Sequence, residues 1–151
     1  MNAQFKAARV ENYRVSDRSA ADIRYLVIHF TANDGDTAKN NADYFAREAP
    51  GVSAHFFVDE KEIWQSVREK DVAWHCGTRG MYFHPYCRNA NSLGIELCSR
   101  KQGEKYYFTP ETVKNARNFV RFLMKKYDIP LANVVRHYDV THKNCPAPFV
   151  E

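Results

Sequence analysis

No stretch of this 151-residue sequence approaches the ~20 consecutive apolar residues of a membrane-crossing helix. Its opening, MNAQFKAARVENYRV, lacks the apolar core of a secretory signal, so the chain is expected to start life in the cytoplasm. Cysteine is scarce. The four present, Cys76, Cys87, Cys98 and Cys145, follow no framework spacing, which points to free thiols or metal ligands rather than disulfides. A basic stripe is also missing: net charge is only +4 and the Lys and Arg residues are scattered, which gives nucleic-acid binding little support. Repeats, low-complexity tracts and internal linkers are absent, so residues 1–151 read as one domain. What the chain does have is core-forming material, with 44% hydrophobic and 14% aromatic residues.

The hydrophobic patterning mixes strands with helices. Tyr25 to Phe30 (YLVIHF) is a nearly continuous run of β-formers, as in a central buried strand. Asp36 or Thr37 can cap a helix with Ala38, Ala42, Phe45 and Ala46 on one face, ended by Pro50-Gly51. AHFFVD (54–59) and EIWQSV (62–67) suggest a hairpin around Glu60-Lys61, although it lacks the glycine such turns favour. SLGIEL (92–97) reads as another strand. Thr109-Pro110-Glu111 opens a strong helix whose apolar period runs to Tyr127, with Asp128 and Pro130 as the stop. Asn133 to Arg136 reads as a short strand delivering His137, and Gly77 to Ala90, without a clear period, as a long loop. The predicted class is α/β, a single domain with a mixed central sheet flanked by helices.

RHYDVTHKNCP (136–146) concentrates chemistry: two histidines, an aspartate, a lysine and a cysteine in eleven positions. Three readings compete, namely a metal site, a Cys–His nucleophile pair of Cys145 with His137, and a polar loop without a chemical role. His137 and Cys145 are ligand types zinc accepts, but their eight-residue gap requires the chain to fold back. His29, a polar residue near the end of the YLVIHF run, could be the third ligand or a core histidine bonded to a backbone carbonyl. His142 is five residues from His137, which in extended chain points the two side chains oppositely, so an exposed loop histidine is expected. Asp139 either orients a ligand histidine or caps the turn. Cys76 and Cys87 match no zinc spacing with His75 or His84.

VIHFTA, VSAHFFV, AWHCG, NSLGIEL and HYDVTHKNCP occur in the order found in the zinc-dependent N-acetylmuramoyl-L-alanine amidases. The resemblance extends over about residues 23–148, a family that includes prophage endolysins, phage lysozyme-type amidases, a cytoplasmic muropeptide amidase and the peptidoglycan recognition proteins. It implies one Zn2+ held by His29, His137 and Cys145. It further implies cleavage of the amide between N-acetylmuramic acid and L-alanine of bacterial peptidoglycan. By the same resemblance Glu96 takes the proton of the attacking water and Lys143 faces the oxyanion, while His55, Trp74, His75 and Asn91 fall in blocks lining the substrate cleft. Where the phage lysozyme-type branch carries a catalytic tyrosine this sequence has Ala54, so it looks like the glutamate-using variant. The wording of the blocks resembles endolysins of Gram-positive hosts, synthesised in the host cytoplasm and released to the wall through holin-type pores. A wall-binding module, if any, would lie outside this chain. The alternatives are a cytoplasmic muropeptide-recycling amidase, a non-catalytic peptidoglycan-binding module, and a thiol hydrolase.

Overall fold

A computed structural model describes residues 2–150. Its centre is a six-stranded mixed sheet formed by β1 (Gln4–Phe5), β3 (Tyr25–Phe30), β4 (Phe56–Val58), β5 (Ile63–Gln65), β7 (Ser92–Leu97) and β10 (Val134–Arg136), in the spatial order β1-β5-β4-β7-β3-β10. β4, β7, β3 and β10 run parallel, and β5 returns antiparallel to β4. Two small antiparallel pairs lie outside it: β2 (Tyr13–Arg14) with β6 (Val72–Ala73), and β8 (Arg100–Gln102) with β9 (Lys105–Tyr107). Among the described residues no helix is long and apolar enough to cross a membrane.

Period-two alternation divides the sheet into two chemically different faces. Leu26 of β3, Phe56 and Val58 of β4, and Leu93, Ile95 and Leu97 of β7 point one way. There they pack with Ala116, Phe119 and Leu123 of α2 (Pro110–Tyr127) in the largest core cluster. The other face carries Val27, Val135 and Phe57, covered by α1 (Ala38–Arg47), α3 (His137–Thr141) and the segment 74–91. His29 and Glu96 lie on this second face, paired in register across β3 and β7. Arg136 pairs with Ile28, so the next residue, His137, arrives level with His29. Three separate segments thus deliver their reactive side chains to the carboxyl ends of parallel strands, where sites of open α/β sheets form.

The expected elements are present, with three physical differences. The β4–β5 turn needs no glycine because Asp59 replaces it: its Oδ1 accepts from the amides of Lys61 and Glu62 at 2.8 and 2.7 Å. Its Oδ2 accepts from Ala38 N at 2.8 Å, tying the turn to the start of α1, while Thr37 is the capping residue proper. α2 begins at Pro110 behind the Thr109 cap and ends on Asp128 in the left-handed region at φ 54°. The short strands β1, β2, β6, β8 and β9 were not anticipated, and neither was α3. Residues 137–141 coil into a short helix rather than extended chain because Asp139 binds back to the amide and guanidinium of Arg136 at its start. Asp139 therefore caps the turn. His142, at φ 66° after α3, lies exposed with its ring stacked on Phe83 at 3.7 Å, so its expected exposure holds for a different reason from the one the sequence suggested.

Candidate metal centre and cleft

His29, His137 and Cys145 converge, with one ligand atom from each lying within 4.8 Å of the others, and all three residues are buried. The gap between His137 and Cys145 is closed by helix and reversal together. α3 turns the chain once, the left-handed His142 sends it back, and Tyr138 N donates to Cys145 O at 2.8 Å. This brings Cys145 Sγ to 3.7 Å from His29 Nδ1. Ligands on a tetrahedral zinc with Zn–N of ~2.0 Å and Zn–S of ~2.3 Å stand roughly 3.5 Å apart, so this edge already has a suitable length.

A second observation tests the fit. His137 Nε2 faces the carbonyl of Cys76 at 2.9 Å, and a carbonyl can only accept, so Nε2 carries the proton. Nδ1 is left with a lone pair, and it is one of three buried side-chain polar atoms without a hydrogen-bond partner among the described residues. A buried polar atom in that condition is costly unless an ion completes it. The donor set of two imidazole nitrogens and a sulfur, with one buried nitrogen of His137 left without a partner, fits a metal ion.

The electrostatics agree with a neutral, unprotonated ligand set. Burial drives the His29 imidazole far below its ordinary range, with the neighbouring His75, His137 and Lys143 adding to the effect. Burial, followed by Lys143, lowers His137 to about 4. Burial pushes the Cys145 thiol up to about 12. Without an ion, both imidazoles keep their lone pairs at neutral pH and the sulfur keeps its proton. A thiolate–imidazolium pair is correspondingly disfavoured, and the nitrogen that contacts Cys145 Sγ, at 3.7 Å, belongs to His29.

The three converge at the floor of a cleft of about 160 Å³ walled by Phe30, Phe45, Ser53, Trp74, Glu96 and Lys143. Glu96 also borders an adjoining hollow of about 450 Å³ lined by Asn33, Asn40, Asn41 and Tyr44. Burial raises the Glu96 carboxyl to about 8; the Lys143 ammonium opposes this and Asp36 reinforces it. Lys143 itself is exposed at the rim.

A sequence profile described as N-acetylmuramoyl-L-alanine amidase matches residues 19–148. This chain belongs to that amidase family. It is 36% identical over 150 residues to the N-acetylmuramoyl-L-alanine amidase CwlL of Bacillus licheniformis, spanning 94% of this chain and 41% of that protein. It is 37% identical to BlyA of Bacillus subtilis (strain 168) over 140 residues, 85% of this chain and 37% of the relative. The chain therefore spans about two fifths of the curated relatives it matches. In three dimensions it resembles the catalytic domain of XlyA, with a TM-score of 0.76 and 31% identity over 97% of this chain and 91% of the other. A mutant endolysin from Bacillus subtilis matches with a TM-score of 0.75 and 32% identity, over 97% and 90% of the two chains.

Four residues expected along the amidase cleft take different places. Trp74 stands half-buried in its wall. His55 is 0% exposed, outside the cleft: its Nε2 donates to Asp71 O at 2.9 Å and its Nδ1 accepts from Gly94 N at 3.1 Å. Both nitrogens are used inside the core, which corrects its expected contact with substrate. Asn91 precedes β7, at the strand end opposite Glu96, where it binds Arg88 N and Tyr86 O. It holds a turn and does not line the cleft. His75 does reach the wall, yet both ring nitrogens face protein partners, His29 Nε2 at 2.9 Å and Ser92 Oγ at 3.1 Å, leaving none for substrate. Sequence reasoning passed over Thr78, whose Oγ1 contacts His137 Nε2 at 3.1 Å, and Asn89, whose Oδ1 accepts from the amides of His75 and Cys76. Neither residue type carries a signal without its partner. Cys76, Cys87 and Cys98 are free and buried.

Proposed function

We propose that this domain is a zinc hydrolase that cleaves the amide between N-acetylmuramic acid and L-alanine of bacterial peptidoglycan, in the manner of an endolysin. The observation that carries the reading is the convergence of His29, His137 and Cys145 beside Glu96, its register partner on the same sheet face. Amidase relatives and an endolysin structure of the same fold support it.

His29, His137 and Cys145 would hold the ion, and a bound zinc supplies a Lewis acid that acidifies water and polarises a carbonyl. The remaining work falls to the chain's own groups. Glu96 takes a proton from the attacking water and returns it to the departing L-alanine nitrogen, a double role suited to a carboxyl whose pKa is raised towards neutrality. Lys143 faces the oxyanion of the tetrahedral intermediate from the rim, where charge stabilisation acts on the developing negative oxygen. The amide-rich hollow beyond Glu96 offers hydrogen-bonding groups to the rest of the substrate.

Mass spectrometry of digested peptidoglycan tests the bond assignment. New L-alanine amino termini on intact glycan are expected; new reducing sugar ends or cleavage within the stem peptide would overturn it. Lys143→Ala should lower turnover by about 10²-fold with zinc stoichiometry intact. Initial rates of dye release from labelled walls check this, and a loss under twofold would remove Lys143 from the mechanism.

A further inference from the structure

His75 has no part in the chemistry proposed above, yet the fold goes to some length to place it. It is buried against β7, where a Cβ on Gly94 would stand 2.7 Å from its Cγ and 2.8 Å from its Nδ1. Gly94 therefore leaves open, in the middle of a strand, the space the imidazole occupies. Asn89 fixes the adjoining backbone by accepting from the amides of His75 and Cys76 at 3.1 and 2.8 Å.

The proton directions along this row follow from its far end. The carbonyl of Arg88 can only accept, so the Ser92 hydroxyl donates to it, at 2.8 Å. Ser92 Oγ then accepts from His75 Nε2–H at 3.1 Å. A neutral imidazole protonated at Nε2 presents a lone pair at Nδ1, and His29 Nε2–H donates to it at 2.9 Å. His29 is left with its own lone pair on Nδ1, the nitrogen that faces Cys145. The Cys76 thiol flanks the same groups, 3.6 and 3.8 Å from the ring nitrogens of His75 and 3.5 Å from Ser92 Oγ, but sulfur is too weak a partner to redirect the row.

We infer that His75, seated on Gly94 and oriented through Ser92, is a positioning residue that sets the tautomer and ring orientation of His29 before any ion binds. The two ligand histidines are thus prepared differently. His137 is held by a main-chain carbonyl that no side-chain substitution removes, His29 by a side chain that substitution can change. Outer partners of ligand histidines act on affinity in this way, by fixing orientation and raising basicity. The inference rests on the metal reading above.

Three variants separate the roles. His75→Asn keeps an acceptor near the place of Nδ1, His75→Leu keeps bulk without an acceptor, and Ser92→Ala removes the acceptor for His75 Nε2–H. Zinc affinity is read by competition with a chromophoric chelator, and the His29 tautomer by nitrogen NMR of the metal-free chain. The wild type should show His29 protonated at Nε2. The Leu variant should bind zinc about 10–100-fold more weakly with the Nδ1–H tautomer populated, the Asn variant should stay within a few-fold of wild type, and Ser92→Ala should fall between. Wild-type affinity and tautomer in the Leu variant overturn the inference; if that variant does not fold, the same result in Ser92→Ala does so. Absence of stoichiometric zinc in the wild type defeats the metal reading instead, and the tautomer measurement still decides the role of His75.

Discussion

Glu96→Gln is expected to lower turnover by about 10²–10⁴-fold while stoichiometric zinc is retained. The amide keeps the shape of the carboxylate and can neither take a proton from water nor return it to nitrogen. Its effect on stability has the opposite sign. Burial lifts the Glu96 carboxyl to about 8 in the folded chain, against an ordinary value of 4.5. Between those values the unfolded chain releases the proton while the folded one keeps it, so folding stability falls as pH rises through that window and the loss is complete above about 8. The metal-free Gln variant should therefore melt higher than metal-free wild type at pH 8, by at most about 4–5 kcal/mol or roughly 8–20 °C, and nearly equally at pH 4. Thermal unfolding of chelator-treated protein at the two pH values checks this. Near-normal activity in the variant would remove Glu96 from the reaction, whereas an unchanged melting difference between pH 4 and 8 would show that its carboxyl titrates normally.

Stripping the metal is the second large effect. A chelator should abolish wall lysis and zinc should restore it, which a thiol nucleophile would not require. An ion present at 1,000 times its dissociation constant stabilises the folded chain by about 4 kcal/mol, so melting should drop by roughly 8–16 °C on its removal. Cys145→Ser should lose stoichiometric zinc and show no such drop. The sulfur also leaves a calorimetric signature. Its thiol, raised to about 12, must give up its proton to ligate, whereas His29 and His137, both lowered by burial, are already neutral at pH 7. Titration in buffers of differing ionisation enthalpy should therefore report about one proton released per zinc. Zero release would exclude Cys145 as a ligand.

Much of the sheet was legible because strands and long helices leave periodic traces. YLVIHF, SLGIEL and the Thr109–Tyr127 helix were each marked by hydrophobic pattern and caps, and each formed where expected. α3 was not legible, because five residues are too few for a period and its start depends on Asp139 reaching back to Arg136. The Asp59 turn was hidden for a related reason, since one carboxylate there serves two elements 21 residues apart in sequence.

The sequence by itself determined which chemistry was available: imidazoles and a thiol of the kind zinc accepts, an acid in an apolar strand, and an ordered set of blocks shared with one amidase family. Tertiary structure decided which of those groups meet. Residue spacing says nothing about register between strands, so only the pairing of β3 with β7 and β10 could put His29 beside Glu96 and level with His137. The same packing enclosed His55, sent Asn91 to the far end of its strand and turned His75 towards His29, because a polar side chain taken out of water binds whatever partner the surrounding backbone supplies.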